Sequence, residues 1–340
     1  MMGQTLSEPI TKKETASWGN SAYKVAASCM QGWRVSMEDS HTVILSLPDD
    51  PDASFFGVFD GHGGGKIAKY ASTHLHKYIT NRKEYKEGDI AEALRQGFLE
   101  LDAAMAEDEE LNKEYSGTTA VTVLIKDNQV YCANIGDSRA VACFDRGVKR
   151  LSEDHKPNQP VERARIEAAG GWVESARVNG SLALSRAFGD FIFKKKSDKK
   201  PEEQIVTAFP DVTVHTLSPE WDFIVLACDG IWDVMANSEV VGYIQRQIAR
   251  RLELETICEN MMMKCLGPDL QMGFGCDNMT VVIVAFLQGG SYWDLTVKCQ
   301  QYQEGSSPER TPGWEQDEFN KSNSIEHTSC DESDEEPHSI

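Results

Sequence analysis

The sequence is short of positive charge. Its 340 residues contain 34 Lys and Arg against 54 Asp and Glu, so the formal net charge at pH 7 is -20. A protein that grips the phosphate backbone of nucleic acid needs a basic surface, so this deficit argues against a nucleic-acid partner. With 40% apolar and 26% charged residues, the composition is typical of an ordinary globular protein rather than a collagen-like or disulfide-scaffold chain.

The sequence also lacks any apolar run of about 18 residues, so we expect no stable membrane insertion. Its nine cysteines form no Cys-x-x-Cys pair and no apolar leader precedes the domain, which indicates a reducing compartment. We therefore expect a cytoplasmic protein, with nuclear import through the lysines at 194–200 as a weaker alternative. Gly3 lies in a myristoylation-like pattern, but Met1 precedes Met2-Gly3, so acylation is a minority interpretation and would anchor the chain weakly.

The acidic residues are concentrated near the end of the sequence. Residues 290–340 carry twelve acidic and three basic side chains and too few apolar ones to build a core. We predict an acidic, mostly disordered tail there, an N-terminal extension over 1–22 and a folded domain over 23–289. Ser329 and Ser333 each precede a glutamate by three residues, which leaves phosphorylation of the tail as an alternative to a merely solvated segment.

Short apolar runs alternate with helical patterns along the domain. Apolar runs predict buried strands over 55–59, 120–125, 130–134, 223–228 and 280–286, and helical periodicity appears over 67–78, 90–105 and 240–252. Strands outnumber helices and often follow one another through short turns. We therefore predict an α+β fold, a β-sandwich of two antiparallel sheets flanked by α-helices.

Four aspartates stand at the ends of apolar runs. Three follow such a run and the fourth comes just before one: Asp60, Asp137, Asp229 and Asp277. A single aspartate in this place is usually a cap or turn residue. Four together favour a shared cation site, because a carboxylate beside a core strand is costly unless it is paired. An oxygen-rich ligand set suits Mg²⁺ or Mn²⁺, and several carboxylates imply two ions, as in two-metal hydrolases.

Two further groups of polar residues stand near the first of these aspartates. Arg34 offers a planar fork suited to phosphate, with Glu38 and Asp39 close behind it, although such a spacing is often only an ion pair. The glycine-rich segment 60–67 resembles a phosphate loop superficially. The match fails, because that pattern requires a glycine where Asp60 stands and a hydroxyl residue at 67.

Seven ordered motifs between about 23 and 288 resemble those of the metal-dependent protein phosphatase 2C family, including its alpha-type and fungal members. They are Arg34 with Glu38-Asp39, Asp60-Gly61-His62-Gly63-Gly64, Ser116-Gly117-Thr118-Thr119-Ala120, Gly136-Asp137-Ser138-Arg139, the segment 179–190, Cys228-Asp229-Gly230-Ile231-Trp232-Asp233 and Asp277-Asn278-Met279-Thr280. The resemblance implies a four-layer α-β-β-α sandwich with metals in a cleft at one end.

The resemblance also implies roles for particular residues. Two metals would be held by Asp60, Asp229, Asp277 and the Gly61 carbonyl, with Glu38 acting through water and with Asp137 and Asp233 joining Asp229 in a weaker third site. Arg34 would bind the substrate phosphate, and His62 would protonate the leaving oxygen. Arg186, beside a flap over roughly 155–200, would serve structure or contact substrate. Cys228 and Cys276 are interpreted as small buried side chains rather than nucleophiles.

The implied activity is that of a protein serine/threonine phosphatase in which a metal-bridged hydroxide attacks phosphorus without a covalent intermediate. Phosphorylated proteins, in particular stress-activated protein kinases, are the expected substrates, and the chain is expected to be a monomer. The alternative is a non-catalytic phosphoprotein-binding module of the same fold. A two-metal nuclease or small-phosphoester hydrolase is a third possibility, and the net charge disfavours the nuclease.

Overall fold

The computed structural model describes residues 5–270 and 273–304. Within these ranges no helix has the length and apolar character needed to cross a bilayer. Gly3, Ser329 and Ser333 lie outside the described residues, as does the part of the predicted acidic tail beyond residue 304.

The described residues form sixteen strands and eight α-helices, numbered in chain order. The strands are β1 Thr5–Gly19, β2 Tyr23–Arg34, β3 Ser40–Ile44, β4 Ser54–Phe59, β5 Gly61–His62, β6 Gly117–Thr118, β7 Ala120–Lys126, β8 Gln129–Ile135, β9 Arg139–Phe144, β10 Gly147–Arg150, β11 Val173–Glu174, β12 Arg177–Val178, β13 Phe188–Gly189, β14 Asp211–Thr216, β15 Trp221–Ala227 and β16 Met279–Phe286. The helices are α1 Lys66–Asn81, α2 Lys83–Lys86, α3 Ile90–Glu107, α4 Pro160–Ala168, α5 Asp229–Trp232, α6 Asn237–Ala249, α7 Leu254–Cys265 and α8 Tyr292–Glu304.

Two antiparallel sheets form the centre of the fold. One has six strands in the order β1-β2-β16-β15-β9-β10, and the other has five in the order β14-β8-β7-β4-β3. Strand β4 shows how the layers are built: Phe56 and Val58 pack into the core shared with strands of the first sheet, whereas Phe55 and Phe59 pack against α1 and α3. This alternation follows from the period of two along a strand. The α+β sandwich predicted from the sequence is confirmed.

Helices cover the outer face of each sheet. On the first sheet, Phe223 and Val225 of β15 share a core with α6 and α7, whose apolar stripes include Ile244 and Met261. The predicted strands and helices are all present. Helix α6 ends at Ala249, so the sequence pattern, which ran to residue 252, extends past its end.

Regular structure lies outside both predicted boundaries of the domain, which stay predictions. Strand β1 pairs with β2 from Thr5 opposite Arg34 to Gly19 opposite Lys24, so the first sheet includes residues of the predicted N-terminal extension. At the other end, α8 occupies the start of the predicted disordered tail, and its Leu295 and Cys299 are buried. The sequence pattern did not predict β1 or α8, because most of their residues are polar and only a few of their side chains pack against the rest of the fold.

The strand directions bring one end of each sheet together around the predicted site. Strands β4 and β8 both run antiparallel to β7, so Asp60 and Asp137, which follow them, lie at the same sheet edge. In the other sheet, β15 and β16 are antiparallel, so Asp229, two residues after β15, and Asp277, two residues before β16, lie at the same end of that sheet. Antiparallel pairing thus explains why aspartates far apart in sequence meet at one end of the sandwich.

Candidate active site

Three of the predicted metal ligands form a compact carboxylate cluster. Oxygen atoms of Asp60, Asp137 and Asp229 all lie within 4.8 Å of one another. Burial raises the pKa of Asp60 well above its ordinary value, and the negative charge of Asp229 adds to this effect. Like charges held this close in a poorly solvated place repel one another unless a cation or a proton is bound. The donor set therefore fits divalent cations with oxygen ligands.

Asp39 completes the cluster on the side toward the first sheet. Asp39, Asp60 and Cys228 also offer ligand atoms within 4.8 Å of one another. Thr280 donates a hydrogen bond to Asp39 Oδ2 at 2.7 Å, whereas Oδ1 is buried without a hydrogen-bond partner. Burial raises the pKa of Asp39 to about 7. An orphaned buried carboxylate oxygen beside Asp60 is the second observation that fits a bound cation.

Asp277 stands at the rim of the cluster and contacts Arg34. Arg34 Nη2 donates to Asp277 Oδ2 at 2.5 Å, and the two side chains are 38% and 31% exposed. Burial raises the pKa of Asp277, while the Arg34 guanidinium opposes the rise. The residue predicted to bind phosphate therefore lies directly against a predicted metal ligand, at the open side of the site.

The loop that carries Glu38 is fixed by the side chain of Asn278. This amide donates to the carbonyls of Gln31 and Ser36 at 2.8 and 2.9 Å and accepts from Glu38 N at 2.9 Å. Glu38 Oε2 in turn accepts from Gly64 N at 3.0 Å, next to Gly61 and His62. Because the Glu38 carboxylate already has protein partners, this arrangement favours the predicted contact through water over direct ligation.

The region predicted to hold a weaker third metal contains a lysine. Lys156 Nζ lies 2.6 Å from Asp137 Oδ2, and the Asp137 side chain is 6% exposed. Burial raises the pKa of Asp233 and Lys156 opposes the rise, so the ammonium group is close to both carboxylates. In this structure an internal cation therefore neutralises part of the acidic cluster.

His62 is held by a carboxylate from a distant part of the chain. His62 Nε2 lies 2.7 Å from Asp190 Oδ2, and the two side chains are 27% and 6% exposed. Burial disfavours the charged imidazole, but the Asp190 carboxylate outweighs this effect and raises the pKa of His62. A histidine whose protonated form is stabilised in this way is suited to donate a proton.

Arg186 is occupied by protein groups. Its guanidinium donates to Glu162 at 2.7 to 3.1 Å, to Asp211 at 2.8 Å and to the Phe209 carbonyl at 3.0 Å, and the residue is 8% exposed. Of the two predicted roles for Arg186, these contacts support the structural one, because they join α4 to the start of β14 and the residues just before it. The alternative role in substrate contact stays a prediction that this geometry does not support.

The two cysteines beside predicted ligands differ in their surroundings. Cys228 is fully buried, accepts from Thr280 N at 3.1 Å and has a pKa raised by burial, which agrees with a small inert side chain. Cys276 is only partly buried, so its interpretation as a buried residue is wrong. It lies in the loop before β16, on the side of Arg34 and Asp277.

Comparison with known proteins identifies the family. The family model for protein phosphatase 2C matches residues 23–271. A probable protein phosphatase 2C of Caenorhabditis elegans is 58% identical over 299 residues, covering 88% of this chain and 84% of that protein. The chain belongs to the protein phosphatase 2C family.

Further matches agree with this assignment. Protein phosphatase 2C homolog 2 of Schizosaccharomyces pombe is 52% identical over 294 residues, covering 85% of this chain and 80% of that protein. A crystal structure of a phosphatase from a pathogenic strain of Toxoplasma gondii aligns with a TM-score of 0.70 at 29% identity, covering 81% of this chain and 95% of that chain. The predicted family, the fold and the enzyme class of protein-serine/threonine phosphatase are confirmed.

Several residues of the site were not singled out by the sequence. Asp39 was noted only as a neighbour of Glu38, and Asp190 only as the end of a motif; Lys156 and Asn278 were given no role. A polar residue directly before or after a buried strand was the available indication for Asp39 and Asn278, which flank β3 and β16. Asp190 and Lys156 lie in the region between β10 and β14, where short elements gave no periodicity to follow.

Proposed function

We propose that this phosphatase hydrolyses phosphoserine and phosphothreonine in proteins at the carboxylate cluster, by direct attack of water and without a covalent enzyme intermediate. The observation that carries the proposal is the cluster of Asp60, Asp137 and Asp229, which lies beside both Arg34 and His62 at one end of the sandwich. Mg²⁺ or Mn²⁺ ions, when bound, would neutralise phosphate charge and lower the pKa of a water nucleophile.

Separate residues would hold the cations and handle the substrate. Asp60, Asp229 and Asp277 with the Gly61 carbonyl would hold two ions, and Glu38 would contact them through water. We add Asp39 to this candidate set, because its Oδ1 is buried without a hydrogen-bond partner. A weaker third site would use Asp137, Asp229 and Asp233.

Arg34 would bind the phosphoryl oxygens, because a guanidinium offers parallel donors in a plane. It is already oriented by Asp277, so little side-chain entropy remains to be lost on binding. His62 would hold the proton that the departing serine or threonine oxygen requires. Asp190 favours the protonated imidazole and lies 2.7 Å from its Nε2.

The physiological substrates are proposed by family resemblance alone: phosphorylated signalling kinases, including stress-activated ones. From the sequence alone, we also propose that the protein is a monomer in the cytoplasm with a nuclear fraction. Its net charge of -20 leads us to propose that it has no nucleic-acid partner. The alternative function, a phosphoprotein-binding module without catalysis, would be favoured by loss of ligands, whereas every predicted metal-binding carboxylate is present in the sequence.

The test is hydrolysis of phosphothreonine and phosphoserine peptides by the full-length protein. We expect activity with Mg²⁺ or Mn²⁺, loss on chelation, and loss of at least about a hundredfold in Asp60→Asn and Asp229→Ala because each removes a shared ligand. Asp198→Asn, which changes an exposed carboxylate in the lysine-rich loop, is the matched control and is expected to retain full activity.

Different results would support different conclusions. Full activity after chelation, or in both Asp60→Asn and Asp229→Ala, would refute the metal site. Tight binding of phosphopeptides without any turnover, under conditions where calorimetry shows bound Mn²⁺, would instead establish the binding-module alternative.

A further inference from the structure

A cavity of about 190 Å³ opens beside Arg34 and Asp277. Its walls combine charged and apolar side chains: Arg34, Asp233, Leu270, Phe274, Cys276 and Asp277. The charged residues of the wall belong to the proposed phosphate and metal sites, whereas Leu270, Phe274 and Cys276 have no part in that chemistry. The cavity is therefore continuous with the reaction site but is lined in part by residues that serve another purpose.

The loop that provides the apolar wall is closed at its base. Gly267 N donates to the Gly275 carbonyl at 2.8 Å, and Trp33 Nε1 donates to the Gly267 carbonyl at 3.0 Å. Gly275 has φ +70°, and a Cβ there would lie 2.3 Å from the Cys265 carbonyl, so the base tolerates only glycine. Since Trp33 directly precedes Arg34, the same contacts fix the loop relative to the phosphate-binding side chain.

The apolar side chains at this wall are unusually accessible. Phe274 is 46% exposed and Leu270 is 38% exposed, although both stand on a loop anchored to the protein core. Exposed apolar surface beside a polar reaction site is the usual construction of a binding subsite. Arg34, Asp233 and Asp277 on the other wall are assigned to the phosphate and cation sites, so the apolar wall formed by Leu270 and Phe274 is the part of the cavity left to distinguish one flanking side chain from another.

We infer that this cavity is a specificity subsite, which receives an apolar side chain flanking the phosphorylated serine or threonine of a protein substrate, with Phe274 as its main contact. The inference rests on the proposed function and deepens it. Arg34 would bind the phosphoryl group and would also form part of the subsite wall. The phosphoryl group and the flanking side chain would therefore bind next to each other.

The test compares phosphothreonine peptides that differ at one flanking position at a time, with Leu, Ala or Glu on either side of the phosphorylated residue. For the full-length protein with Mn²⁺, we expect kcat/KM to be about tenfold higher with Leu than with Ala on one side, and lower still with Glu, as is usual for an apolar pocket. In Phe274→Ala this preference should fall below about twofold, while p-nitrophenyl phosphate, which has no flanking residue, should be hydrolysed at the wild-type rate.

Two more variants make the test specific. Trp293→Ala removes an equally exposed aromatic ring from α8, outside the proposed site, and is expected to keep the wild-type preference. Phe274→Lys should shift the preference toward Glu, because it places a cation in the subsite. An unchanged Leu preference in both Phe274 variants, or no preference in the wild type, would overturn the inference while leaving the phosphatase proposal intact. Failure of the wild type to cleave any of the peptides would overturn the proposed function itself.

Discussion

His62 Nε2 lies 2.7 Å from Asp190 Oδ2, a contact between residues 128 positions apart. Asp190 occupies the left-handed region with φ +50°, an uncommon conformation for a residue other than glycine, and its amide donates to the Ser116 carbonyl at 3.1 Å. The surrounding chain therefore holds Asp190 in place against a local preference. Such over-determined placement is typical of a group that must orient another.

Asp190→Asn is expected to slow phosphothreonine-peptide hydrolysis by about a hundredfold, the lower range of what a positioned general acid contributes. The loss should appear in kcat rather than KM, because Asp190 acts through His62 and does not contact substrate. On p-nitrophenyl phosphate, whose leaving group departs without a proton, the loss should be about threefold or less. Equal losses on both substrates would show that Asp190 supports the fold rather than the acid.

Gly117→Ala is expected to disturb the contact between His62 and Asp190 by steric overlap. A Cβ at this position would lie 2.2 Å from Asp190 Oδ2 and 2.7 Å from His62 Nε2. We expect a leaving-group-dependent loss like that of Asp190→Asn, together with a destabilisation of about 1 to 3 kcal/mol from overpacking. Gly147→Ala, whose Cβ would meet only the Phe144 carbonyl at 3.6 Å, is the matched control in the kinetic and thermal-unfolding measurements.

The features that the sequence predicted are those that depend on local patterns, such as buried strands and the aspartates that follow them. The apolar runs before Asp60 and Asp229 become β4 and β15, which belong to different sheets and share the core between them. Contacts such as that of Arg34 with Asp277, 243 residues away, are set by strand order and loop path, for which the chain has no local marker. Strand β1 escaped detection for a different reason: it lies at a sheet edge and is mostly exposed, so it needs no apolar run.

Lys156→Met is expected to strengthen binding of the ion proposed for the weaker third site. Lys156 Nζ lies 2.6 Å from Asp137 Oδ2 and competes with a divalent cation for that carboxylate. Loss of one charge-assisted hydrogen bond corresponds to about a tenfold gain in Mn²⁺ affinity, measured by titration calorimetry on the metal-free protein. Lys195→Met, which removes an exposed lysine, should leave all affinities unchanged. An unchanged or weaker affinity in Lys156→Met would mean that the ammonium group supports the site rather than competing for it.

Glu162→Gln tests the structural role of Arg186 through pH. Burial raises the pKa of Glu162, but Arg186 and Arg165 outweigh it and lower the pKa from 4.5 to about 2. A carboxyl group whose pKa is lower in the folded state stabilises the protein above about pH 4.5, and this contribution is lost as the pH falls toward 2.

At pH 7 we therefore expect Glu162→Gln to cost about 3 kcal/mol, since it leaves buried guanidinium groups without their counter-charge. The difference from wild type should shrink by about pH 3.5, where denaturant unfolding of the metal-free proteins is compared. Glu167→Gln, on the exposed side of α4, is the control. A difference that stays constant with pH would assign the loss to packing instead.

Asp60→Asn is expected to change stability in opposite directions with and without metal. In chelator, the variant should be more stable than wild type by about 1 to 3 kcal/mol, because it removes a buried negative charge that lies within 4.8 Å of Asp137 and Asp229. In saturating Mn²⁺ the order should reverse, since only the wild type gains the full free energy of binding both proposed ions, about 2.7 kcal/mol for each at a hundred times its Kd. Thermal unfolding under the two conditions measures both effects. If Asp60→Asn were less stable than wild type in chelator, the carboxylate cluster would be held by protein contacts rather than kept under electrostatic strain for its cations.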